Sequence, residues 1–115
     1  MRILISKNFN SKISRLIEKG ILSSKEEAVE VACTLGLIYN EKKTIEDRVA
    51  LELDSFDENK IFAVIASARN PKLITEQEVI SELEKYIESG SLRLDEKFDF
   101  YEVYDSIKKL DFGLF

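Results

Sequence analysis

The sequence predicts a mainly α fold, with an N-terminal strand-helix-helix unit over residues 1–45 and a helical extension over 46–115. Three observations predict it. Gly and Pro are scarce, four and one in 115 residues, which speaks against disorder and against a loop-rich all-β chain. Apolar residues recur at helical spacing along most of the chain. The clearest strand-like alternation is confined to the first residues, Arg2-Ile3-Leu4-Ile5-Ser6.

In that strand, Ile3 and Ile5 fall on one face and Arg2, Leu4 and Ser6 on the other. A helix follows over about Lys7 to Lys19, with Phe9, Ile13, Leu16 and Ile17 on one stripe. Gly20 stops it, because glycine takes the left-handed cap without steric cost. The second helix opens at Ser23-Ser24, each with a glutamate three residues on, and buries Ala28, Val31, Ala32, Leu35 and Ile38. Gly36 inside it costs about 1 kcal/mol of helix propensity, which another backbone passing close by would explain. Residues 49–53 fit a short strand or a helix fragment. Asp54 or Asp57 caps the next helix, whose apolar Ile61, Phe62, Val64 and Ile65 are expected to be mostly buried, and Asn70-Pro71 ends it. Thr75 with Glu78 opens another helix, which Gly90 closes, and Asp99 with Glu102 opens a last one.

Charge and chemistry narrow the function. The first twenty-five residues hold Arg2, Lys7, Lys12, Arg15, Lys19 and Lys25 against Glu18 alone, a balance of +5 that leaves −10 for the remaining ninety within the total of −5. This fits a basic nucleic-acid-facing end on an acidic body, or simply solvated helix faces. Histidine is absent, which excludes Ser-His-Asp and Cys-His catalysis and histidine-ligated metals. The four glycines lie too far apart for a phosphate loop. With no nucleophile–base pair, no catalytic residue, cofactor or metal is expected. No leader-like segment and no bilayer-length apolar run is evident, so a cytoplasmic protein without membrane contact is expected.

One weak motif has the residue types of a Mg²⁺ nuclease, Asp54-x-x-x-Glu58-x-Lys60. Such a Glu-x-Lys normally lies on a buried strand, whereas here it opens a helix, where the dipole favours acids. Cys33 sits between apolar helical neighbours with no adjacent base and reads as a packing residue.

The strand, helix, glycine turn and helix follow the order of a ribbon-helix-helix unit. In such dimers the N-terminal strands of two copies pair antiparallel in the major groove. An obligate homodimer is therefore expected. The outward residues Arg2, Leu4 and Ser6 are candidates for contact with double-stranded DNA, and Ser23, Ser24 and Lys25 at the second helix N-terminus are candidates for a phosphate. Leu4 departs from the polar pattern, and the strand reads equally as a dimer seam. Six of eleven aromatics fall in the last eighteen residues, and Phe112, Leu114 and Phe115 are candidates for docking a protein partner or for folding back to seal the core of the chain's own dimer.

Two stretches, Ser24-Lys25-Glu26-Glu27-Ala28-Val29-Glu30-Val31-Ala32-Cys33-Thr34-Leu35-Gly36-Leu37 and Leu83-Glu84-Lys85-Tyr86-Ile87-Glu88-Ser89-Gly90-Ser91-Leu92, resemble in order and spacing a family of small proteins associated with DNA phosphorothioation (Dnd) defence systems. The resemblance implies a non-enzymatic accessory or regulatory role in a DNA-modification system, and it brings no catalytic residue with it. The alternative reading is a ribbon-helix-helix repressor or antitoxin that binds DNA through its N-terminal strand.

Overall fold

The computed structural model describes residues 1–95 and Asp105. Its elements are β1 (Arg2–Ser6), α1 (Lys7–Glu18), α2 (Lys25–Tyr39), β2 (Arg48–Glu52), α3 (Ile61–Arg69) and α4 (Glu76–Ser91). A strand followed by helices is present as expected. The helical extension, however, contributes a second strand, so the architecture is mixed α/β. The helix expected after Asp99 and the candidates Phe112, Leu114 and Phe115 lie outside the described residues.

β1 runs into α1 without a loop. Ser6 is both the last strand residue and the helix cap, its hydroxyl accepting from the Phe9 N–H at 3.1 Å. Phe9, Ile13 and Leu16 bury the apolar stripe of α1, and Gly20 follows at φ 72°. Ser24 caps α2 by accepting from the Glu27 N–H, and the Glu27 carboxylate reaches back to the Ser23 hydroxyl at 2.7 Å. The capping box is thus shared between the two serines. Thr75 and Glu78 form the expected box on α4. Asp57, not Asp54, holds the start of α3, its two carboxylate oxygens accepting from the Phe62 and Ala63 N–H groups at 2.9 Å each.

The partner of β1 is β2 of the same chain, where the ribbon reading placed a second copy's strand. The pair is antiparallel, with Ile3 opposite Leu51 and Ile5 opposite Val49 on the core face. On its other edge the Leu4 N–H donates to the Glu84 carboxylate of α4. A strand bonded on one side and overlain by a helix on the other is not free to form an intermolecular ribbon.

The centre of the molecule is α2 against α4. A Cβ on Gly36 would stand 1.9 Å from the Tyr86 carbonyl oxygen, and one on Gly90 would stand 1.7 Å from that of Ala32. The two backbones touch, and only glycine fits at either position. Gly36 therefore has the close neighbour its sequence context suggested. Gly90 lies inside α4 rather than after it, serving packing instead of termination. Both contacts, like the strand pairing, cross the division expected at residue 45, and one buried cluster extends from Ile3 to Leu94.

Candidate functional site

The candidate DNA residues occupy two places. Arg2 is exposed at the start of β1, opposite Glu52. Ser6, at the other end, is buried and its hydroxyl is engaged as a cap. Leu4 is half-buried in a cleft shared with Arg48 and Glu84. Ser23, Ser24 and Lys25 surround the N-terminus of α2, where the Glu26 and Glu27 carboxylates already accept backbone N–H groups from Asp54 and Ser23. The Asp54 N–H holds the Glu26 carboxyl below the usual range. A phosphate arriving here meets the negative charge of two carboxylates beside the helix terminus.

Asp54, Glu58 and Lys60 lie on the irregular segment before α3, with Lys60 in the left-handed region at φ 58°. Among the described residues no group of three or more acids, histidines or cysteines is arranged to hold a metal. Cys33 is fully buried, and burial pushes its thiol well above the ordinary value, so it stays protonated and unreactive.

A cavity of about 160 Å³ opens where β1 meets α1, lined among others by Lys7, Lys12, Lys43 and Glu88. Lys12 Nζ donates to the Ser91 carbonyl at 2.8 Å, and burial together with Arg15 lowers its pKa. Glu88 Oε2 is buried there without a hydrogen-bond partner. Glu46 and Asp47 also line the cavity, so its lysines are matched by acids.

Among the described residues, the most exposed apolar side chains on a regular element belong to α3. Its sequence, Ile-Phe-Ala-Val-Ile-Ala-Ser-Ala-Arg, is apolar nearly all round, a composition normally found in helices covered on every side. Only Ile65 and Ala66 are buried. Ile61 is 51% exposed and Val64 61% exposed, and Ala68 continues the same face one turn on. Phe62 packs on Phe56 with ring centroids 5.8 Å apart and fixes the helix from beneath.

The N-terminal end of this face is acidic. Burial raises the Glu30 carboxyl on α2, and the negative charges of Glu58, Asp57, Glu26 and Glu27 raise it further. These carboxylates, with Asp54, form one negative field beside α3, and Lys25 and Lys60 are the basic residues of the same segments. The apolar spacing of α3 was visible in the sequence. That its outer half stays uncovered was not, because helical periodicity shows which residues are apolar and not which are met by a neighbour.

No family model, curated protein or solved structure matches the chain.

Proposed function

We propose that the protein is a non-enzymatic accessory or regulatory protein that works by holding another protein, and that α3 is the element that holds it. The observation that carries this reading is the outward face of Ile61, Val64 and Ala68, with Val64 61% exposed on a helix apolar nearly all round. The occupant we assign is an amphipathic segment of a partner protein with Lys or Arg flanking its apolar stripe. The carboxylates at one end of the face attract and orient such a segment, and they repel an acidic one.

The DNA-modification setting of this role rests on the resemblance carried by residues 24–37 and 83–92, which lie in and at the ends of α2 and α4. Operator binding through Arg2, Leu4 and Ser6 is the weaker alternative, because Ser6 is engaged in capping and β1 is bonded within its own chain.

The test uses two fluorescent model peptides, each with a leucine stripe on an amphipathic helix, one flanked by lysines and one by glutamates. The lysine peptide is expected to bind, to weaken at least about tenfold with Val64→Asp, and to weaken as salt is raised. The glutamate peptide is expected not to bind. Equal binding of the lysine peptide to wild type and Val64→Asp, or no binding at all, overturns the reading.

A further inference from the structure

The hydrogen-bonding pattern of the sheet leaves one edge open. Met1 and Leu53 exchange backbone bonds, and the Lys7 N–H donates to Asp47. Bonded pairs alternate in an antiparallel ladder, so within β2 it is Val49 and Leu51 that turn their backbone groups toward β1. Arg48, Ala50 and Glu52 therefore turn theirs outward. Among the described residues nothing bonds to that outward edge, and Arg48, Ala50 and Glu52 are all exposed. A two-stranded sheet with a free edge is marginal in water unless another element covers it.

The sequence of β2, Arg-Val-Ala-Leu-Glu, is complementary to itself when reversed about Ala50. We propose that a second copy of this chain occupies this edge, with β2 pairing antiparallel to its counterpart about a two-fold axis at Ala50. The result is a four-stranded sheet in the order β1-β2-β2-β1. In this register Arg48 stands opposite the second copy's Glu52, Val49 opposite its Leu51, and Ala50 opposite its Ala50. The outward-turned residues then face one another as bonded pairs, as the ladder requires. Val49 and Leu51, only half-buried in the single chain, cover one another on the core face. The oppositely charged ends fix the register. A slip that sets Arg48 against Arg48, or Glu52 against Glu52, brings like charges together. In the single chain both charges have only loose engagements. Arg48 Nε donates to the Ile45 carbonyl at 3.4 Å and its charge favours the Glu84 carboxylate, while Glu52 lies 3.8 Å from the Met1 amine.

This inference is independent of the α3 reading, since it concerns a different surface. The test is the mass in solution of four proteins at about 50 μM, a concentration at which a specific dimer is populated. Wild type is expected to have twice the monomer mass of 13.2 kDa. Arg48→Glu and Glu52→Arg are each expected to be monomeric, since each sets like charges opposite one another. The double variant Arg48→Glu/Glu52→Arg is expected to dimerise again, and an equimolar mixture of the two single variants is expected to form a heterodimer. Far-ultraviolet circular dichroism of each variant confirms that it is folded. A wild-type monomer overturns the proposal. So does a dimer that both single variants retain, or single variants that do not recover on mixing while remaining folded.

Discussion

Gly36 and Gly20 are both glycines near helices, yet they answer to different constraints. At Gly36 the obstacle is a neighbouring backbone, which cannot rotate away as a side chain can. Gly36→Ala is expected to cost about 3 kcal/mol or more despite alanine's better helix propensity, because α2 and α4 must move apart along their length. At Gly20 nothing lies within 4 Å and only the φ of 72° resists a side chain, so Gly20→Ala is expected to cost about 1 kcal/mol. Urea unfolding of the two variants checks the order. Two buried acids on α4 answer oppositely to pH. Burial raises the Glu84 carboxyl, outweighing the Leu4 N–H and Arg48, which lower it. A raised carboxyl favours folding below its ordinary value of 4.5, and that contribution is lost as pH rises through the raised value. Glu84→Gln keeps an acceptor for Leu4, so it is expected to equal wild type in acid and to exceed it in stability at neutral pH. Burial also acts to raise Glu82, but the Asn70 amide at 2.6 Å and Lys42 at 3.2 Å prevail and hold it low. Glu82→Gln is therefore expected to cost about 1–2 kcal/mol at neutral pH. That cost shrinks as acid protonates Glu82 in the native wild type, below 4.5.

Among the elements, α3 depends most on a single residue. Its N-cap residue Lys60 makes no side-chain cap bond, and both first-turn N–H groups bonded by a side chain donate to Asp57. Asp57→Ala is expected to lower stability by about 1–2 kcal/mol and to fray α3 first, measurable as faster amide exchange at Phe62 and Ala63. Helices were largely legible in the sequence because their signals are local. Ser24, Thr75, Gly20 and Asn70-Pro71 each mark a boundary within a few residues of themselves, and each acts there. The pairing of β2 was not legible. Five alternating residues suit a strand or a helix end equally, and what settles the matter is β1, more than forty residues earlier in the chain. Burial of Glu82, Glu84 and Glu88 was hidden for the same reason, since acids gain cover only from distant loops and strands. Of the two serines that offered a cap for α2, Ser24 provides it while the Ser23 hydroxyl donates to Glu27, and the outward face of α3, expected to be mostly buried, is exposed.

At the scale of the molecule, the N-terminal strand and two helices share one buried cluster with the elements that follow. Ile3, Ile5 and α2 are buried against β2 and α4, so a fragment of residues 1–45 keeps its apolar faces without the elements that cover them. Such a fragment is expected to show little helix by circular dichroism and no cooperative thermal transition.

The touching glycines also bear on how the chain is made. Gly36 and Tyr86 meet across about fifty residues of sequence, and α4 is the last described helix to be synthesised. At about 5–20 residues per second, the inner face of α2 waits on the order of 3–10 s after its own synthesis before its partner exists. Until then the part of that face around Gly36 and Ala32 has no α4 to pack against on the nascent chain, although β2, the partner of β1, is made before α4. The N-terminal sheet can close while the ribosome is still at work, whereas the helical core must await release of α4 from the exit tunnel. A slow translational pause placed between β2 and α4 would lengthen the exposure of that face.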